Sequence, residues 1–203
     1  MATVDSIKVL AYQKEYTKIS NKYIDTKYID TSVFVAGSGN YSIVAANDTG
    51  NEASGDYSYA EGSGTYATGN NAHAEGDGTG ADGNYSHAEG YGTYAGGNYS
   101  HAEGNGSVAS GESSHAEGEL TRASGLWSHA EGYYTKASGQ YQHVSGKFNV
   151  EDLNNTYAEI VGIGTYNNSH KNGRTLDWSG NEQLAGSLTL GLGTTDEVTI
   201  TAA

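Results

Sequence analysis

The chain has 203 residues, enough for one domain or one elongated module with short flanking pieces. Only 35% are hydrophobic; 30 Gly, no Pro, two Phe, two Trp and one Met leave it without the large groups that fill an ordinary core. The absence of Cys excludes a disulfide scaffold, thiolate zinc sites and cysteine nucleophiles, and a net charge of -14 sets the chain against nucleic-acid phosphates.

Residues 1–36 carry five of the ten bases, Lys8, Lys14, Lys18, Lys22 and Lys27. Charges in Met1 to Tyr16 take the place of the apolar region of a signal peptide, so synthesis in the cytoplasm is expected. Apolar stretches such as Val33 to Ala36 fall far short of the ~20 residues of a membrane span, and no membrane insertion is expected. Tyr12, Tyr16, Ile19 and Tyr23 are spaced for a short amphipathic helix or three-helix bundle. Tyr23-Ile24-Asp25-Thr26 and Tyr28-Ile29-Asp30-Thr31 then repeat in a more extended style. This segment is read as an attachment to a larger particle.

Residues 37–146 are repetitive. His73-Ala74-Glu75-Gly76 recurs at 87, 101, 115 and 129, preceded by Tyr59-Ala60-Glu61-Gly62 and followed by His143-Val144-Ser145-Gly146, always at a step of 14 residues. Ala45, Ala53 and Gly55 read as a worn copy in the same phase. Each unit divides into two heptads of the form Ser/Thr-x-Ala-x-Gly-x-x. A coiled coil is excluded, because recurrent Gly costs a helix ~1 kcal/mol each and no large side chains fill a seam. The pattern instead predicts a five-residue strand and a two-residue corner per heptad, two strands per coil, in an all-β parallel solenoid. Ser/Thr, Ala and Gly point inward and the x residues outward. At ~4.8 Å per coil, seven coils make a rod of roughly 34 Å. So small an interior buries little apolar area, which points to burial against sister copies in a closed cyclic oligomer.

The two outward faces differ. One repeats His73/Glu75, His87/Glu89, His101/Glu103, His115/Glu117 and His129/Glu131. The other varies through Tyr66/Thr68, Gly80/Asp82, Tyr94/Gly96, Val108/Ser110, Arg122/Ser124 and Lys136/Ser138. Identical residues in every coil imply an identical environment, so the His/Glu face is read as packed between protomers and the variable face as solvent-facing. Stacked carboxylates repel. Charge-assisted bonds from His offset this, giving an interprotomer His–Glu ladder with raised His pKa values. The alternatives are a solvated polar sheet and metal capture by His and Glu at the axis; no metal site and no cofactor is assigned. The corner before Ser carries Tyr57, Tyr85, Tyr99, Trp127 and Tyr141, which stack where neighbours are aromatic. Tyr66, Tyr85, Tyr94, Tyr99 and Trp127 are the candidate contacts for a host-surface glycan.

Apparent catalytic motifs dissolve into the repeat. His-Ala-Glu lacks the Pro-Cys-x-x-Cys that zinc deaminases require. Gly90 to Ala95 fits a dinucleotide pattern without the surrounding βαβ unit. The repeated Glu supplies carboxylates but no unique pair, so no enzyme is expected. Residues 147–203 lose the repeat. Ile160 to Gly164, Leu188 to Gly193 and Val198 to Thr201 read as short strands of a β-rich cap, since a solenoid end otherwise offers a bare edge.

The Ser-x-Ala-x-Gly heptads over about 41–146 resemble the head repeats of YadA-like trimeric adhesins, although those place aliphatics where this chain has His and Glu. The Ser-His-Ala-Glu-Gly repeats, followed by Arg174 to Gly186, are similar to tail-fibre and appendage proteins of phages and prophages of Gram-positive bacteria. In those proteins a self-cleaving chaperone domain often follows. The resemblance implies a left-handed parallel β-roll assembled as a homotrimer, and a virion location. A tail fibre for host attachment is expected; capsid decoration, or a bacterial cell-surface adhesin head, is the alternative.

Overall fold

A computed structural model describes residues 34–45, 50–166 and 169–186. In chain order the strands are β1 (Phe34–Ala36), β2 (Ile43–Ala45), β3 (Glu52–Ala53), β4 (Tyr59–Ser63), β5 (Tyr66–Ala67), β6 (His73–Asp77), β7 (Gly80–Ala81), β8 (His87–Tyr91) and β9 (Tyr94–Ala95). There follow β10 (His101–Asn105), β11 (Val108–Ala109), β12 (His115–Glu119), β13 (Arg122–Ala123), β14 (His129–Tyr133), β15 (Lys136–Ala137), β16 (His143–Lys147), β17 (Tyr157–Ile163), β18 (Asn172–Asp177) and β19 (Glu182–Leu184). The described residues contain no helix.

The chain winds as a parallel β-solenoid with a 14-residue period. Odd-numbered strands from β3 to β15 form one sheet, and even-numbered strands from β2 to β16 run through the other. Equivalent residues stack in register: His101 pairs with His115, Ala102 with Ala116, Glu103 with Glu117 and Gly104 with Gly118. Such stacking requires coils of equal length, which is why the sequence period is exact across the repeat.

The apolar part of the interior is almost wholly methyl groups. The core cluster consists of fourteen Ala with Val144 and Ile160, so most coils bury only two alanine side chains. Glycine recurs at the coil-to-coil contacts out of necessity. A Cβ on Gly97 would lie 2.0 Å from the carbonyl oxygen of Gly111 in the next coil, and both glycine columns repeat that approach. The predicted inward Ser/Thr and Ala are observed, with Gly69, Gly83 and Gly97 buried beside them, but the glycines of the His/Glu strands, Gly76, Gly90 and Gly104 among them, adopt positive φ and are exposed rather than inward.

The strands differ from expectation in length and phase. On the His/Glu side each strand begins one residue later than predicted, at His rather than Ser, and on the other side only two residues are extended. The serines serve the turns instead. Ser86 Oγ donates to the Gly83 carbonyl at 2.6 Å, and Ser100 Oγ to Gly97 at 2.6 Å, closing each corner from inside. Both corners hold one residue with left-handed φ. The first uses Gly78 and Gly92, then Leu120 and Tyr134; the second uses Tyr85, Tyr99 and Trp127. That conformation is costly for a bulky residue. It aims the corner N–H at the preceding coil, where Tyr85 donates to Asn70 and Tyr99 to Asn84, each at 2.8 Å.

The ends depart from the period. Ala53 pairs with Ala67 in phase, but Val44, not Ala45, lies opposite Ala60. The worn copy thus carries two extra residues between its two halves, and only its Ala53–Gly55 half keeps phase. Two extra residues also separate Val144 from its partner Ile160. The parallel ladder therefore runs past residue 146 through β17. Antiparallel pairing closes both ends: β1 on β2, and β18 on β17 with β19 beyond it. Residues 1–33 of the 1–36 attachment segment and the predicted strands at 188–193 and 198–201 lie outside the described residues. Among the described residues no helix is long and apolar enough to cross a membrane.

Candidate functional site

Alternation along β6, β8, β10, β12 and β14 directs Ala inward and the flanking His and Glu outward. In-register stacking then fixes the distance between equivalent imidazoles. His73, His87, His101, His115 and His129 form a continuous stack with centroids 4.7–4.8 Å apart and planes within 8°. Tyr59 continues the column at one end and His143 at the other.

Each imidazole reaches back to the Glu of the preceding coil. Nε2 to Oε1 distances are 3.5 Å for His87–Glu75, 3.2 Å for His101–Glu89, 3.3 Å for His115–Glu103 and 3.1 Å for His129–Glu117. His73–Glu61 is looser at 3.9 Å, and His143–Glu131 is 3.3 Å. An imidazole N–H donates to the carboxylate in the His101–Glu89 and His129–Glu117 pairs. The ladder of His73, Glu75, His87, Glu89, His101, Glu103, His115, Glu117, His129 and Glu131 thus forms within one chain, whereas it was expected between chains. About a third of each of these side chains remains exposed.

The expected rise in His pKa is corrected where a shift is resolved. Burial, followed by the charges of His73 and His101, pushes His87 below 6.5, outweighing Glu89 and Glu75. Burial, then His129 and His101, does the same to His115 against Glu117 and Glu103. Stacking places like charges closer to each ring than the sequence suggested. Burial alone would raise Glu117, but the hydrogen bond from His129 and the charges of His115 and His129 hold it below 4.5.

The consequence for stability reverses in sign. In the folded chain His87 and His115 bind protons more weakly than in the unfolded chain, so acidification favours unfolding. Their contribution is fully present above 6.5 and is lost as pH falls through their lowered values; Glu117 adds a further loss below 4.5. The melting temperature is expected to be highest above 6.5 and to fall on acidification. Calorimetry across that range checks this, and a melting temperature that rises on acidification would contradict it.

The variable face is shaped by one missing side chain. Gly80 interrupts the outward column between Tyr66 and Tyr94. A Cβ there would meet the Tyr94 ring at 3.1 Å, and one on Gly96 would meet it at 2.5 Å, so the ring lies flat across both glycines. Its hydroxyl donates to Asp82 Oδ2 at 2.9 Å, while Thr68 Oγ1 donates to Asp82 Oδ1 at 2.6 Å. That hydrogen bond, with burial and the Asp82 charge, raises the Tyr94 pKa above 10.0. Tyr66, Thr68, Asp82 and Tyr94 line an open cleft of about 390 Å³.

Corner aromatics stack where they are adjacent: Tyr85 on Tyr99 at 5.1 Å, Trp127 on Tyr141 at 4.9 Å and Tyr41 on Tyr57 at 5.0 Å. Asn71 and Ser113 interrupt the column. A ladder beside it was not anticipated. The backbone N–H of Asn40 donates to Asp56 Oδ1, that of Asp56 to Asn70, that of Asn70 to Asn84 and that of Asn84 to Asn98, all at 2.9–3.0 Å. Its signal was the 14-residue recurrence of Asp56, Asn70, Asn84 and Asn98, residues that in part read as glycosylation sequons.

The candidate surface contacts therefore fall on two separate features. Tyr66 and Tyr94 flank the cleft, and Tyr85, Tyr99 and Trp127 belong to the corner stacks. No family model matches the chain, and no curated protein matches it.

Proposed function

We propose that this chain is a non-enzymatic structural protein of a phage virion, a homotrimeric fibre or appendage that serves host attachment. The observation that carries the reading is the contrast between the two faces. One sheet presents the same His/Glu pair in coil after coil, each about one-third exposed, as expected of a surface that meets one repeated partner. The other presents a different pair in every coil, as expected of a surface free to vary.

In this reading the partners on the constant face are two sister copies, wound as a left-handed β-roll. The near-absence of large side chains inside a single chain supports that assembly, because the apolar area buried by Ala is a small fraction of what Leu or Ile provides. Residues 1–36 join a larger virion component. The aromatic groups Tyr66, Tyr85, Tyr94, Tyr99 and Trp127 are offered to a host-surface glycan, whose rings stack on exposed aromatic faces.

Purified phage particles from an induced host test the assignment. The chain is expected to sediment with intact particles, with antibody labelling on the tail. Labelling on the capsid would favour the head-fibre alternative, and recovery only in the bacterial surface fraction would overturn the virion reading in favour of an adhesin head.

A further inference from the structure

The constant face gathers imidazole and carboxylate donor atoms of the kind a transition-metal ion takes. A four-coordinate ion with bonds of ~2.0–2.1 Å to imidazole and carboxylate places neighbouring ligand atoms ~3.3 Å apart. The Nε2–Oε1 separations along the column, from 3.1 Å at His129–Glu117 to 3.5 Å at His87–Glu75, already match that spacing. The next imidazole in the stack supplies a third donor. In each of four groups, His73/Glu75/His87, His87/Glu89/His101, His101/Glu103/His115 and His115/Glu117/His129, all three ligand atoms lie within 4.8 Å of one another.

The state of the donors agrees. Nε2 of His73, His87 and His115 is shut off from solvent, with the glutamate of the preceding coil, at 3.9, 3.5 and 3.3 Å, as its polar neighbour. Two imidazoles and one carboxylate suit a borderline cation such as Zn²⁺ and not Mg²⁺, which prefers an all-oxygen shell.

We propose that the His/Glu column is a repeating binding site for a borderline divalent transition-metal ion, each ion held by two histidines and the glutamate between them. Neighbouring groups share a histidine, so they do not fill together. Of the four groups, at most two are disjoint, and the column saturates at two ions per chain. All ligands come from one chain, so the inference stands or falls apart from the virion assignment and from the trimer.

The sharing makes a specific pattern of stoichiometries. Removing His101 leaves His73/Glu75/His87 and His115/Glu117/His129 intact, and capacity stays at two. Removing His87 leaves only two groups that share His115, and capacity falls to one. Removing His87 and His115 together destroys all four groups. The test is titration of the EDTA-stripped full chain with Zn²⁺, read by calorimetry and native mass spectrometry, with Mg²⁺ as control and circular dichroism to confirm folding. Wild type and His101→Gln are expected to bind two Zn²⁺, His87→Gln one, and His87→Gln/His115→Gln none. A wild-type capacity other than two, or one that His87→Gln leaves unchanged in a folded protein, overturns the proposal. Should the double variant not fold, the comparison of His87→Gln with His101→Gln decides.

Discussion

Gly104→Ala is expected to destabilise the solenoid by ~3 kcal/mol or more, a loss large enough to unfold many domains. Gly104 adopts φ +98, and a Cβ there would stand 2.2 Å from the carbonyl oxygen of Gly118. That oxygen belongs to the backbone of the next coil, whose position is set by in-register pairing on both sides, so neither partner moves without opening the ladder. Gly92→Ala separates the clash from the cost of φ alone. Gly92 also has positive φ, +62, but open space surrounds it. It is expected to lose only ~1–2 kcal/mol, the ordinary penalty of a left-handed L-residue. Denaturant unfolding of the two variants measures the difference; equal losses would show that coil-to-coil contact does not enforce the glycine column.

Ala102→Leu is the second large effect. Ala102 is fully buried, stacked between Ala88 and Ala116, in a cluster that contains no larger side chain until Val144. Three added carbons have no cavity to enter, and spreading the two sheets would break the strand pairing of several coils. Overpacking usually costs ~1–3 kcal/mol. Here the upper end or beyond is expected, because the buried interior offers only backbone, alanine methyl groups and small Ser/Thr side chains. The natural exceptions show what a larger group requires: Val144 and Ile160 sit where the coil is two residues longer. Retention of the wild-type unfolding midpoint by Ala102→Leu would show that the interior is looser than its all-alanine packing indicates.

The repeat made much of this legible. A parallel solenoid stacks like on like, so the 14-residue step, the inward alanines and the outward His/Glu column were readable from spacing alone. Less legible were features that depend on how a coil turns. Serine looked like the first inward residue of a strand, yet Ser86 and Ser100 close corners through Gly83 and Gly97. Tyr85 and Tyr99 were read as corner residues, but nothing in their chemistry announces left-handed φ, because the constraint comes from the carbonyl of the preceding coil. The Asn ladder was hidden by a familiar three-residue motif. A period also cannot tell pairing within a chain from pairing between chains. The His–Glu contacts reach back one coil in the same chain, and the stacked imidazoles depress the pKa values of His87 and His115 that pairing alone would raise.

Sedimentation equilibrium at nanomolar concentration, combined with thermal unfolding of the same samples, tests most directly whether so slender an interior stands alone. The proposed assembly predicts a mass of three chains, with folding lost together with association on further dilution. A folded, heat-resistant species with the mass of a single chain would contradict it, and would leave the His/Glu face to water or to the metal.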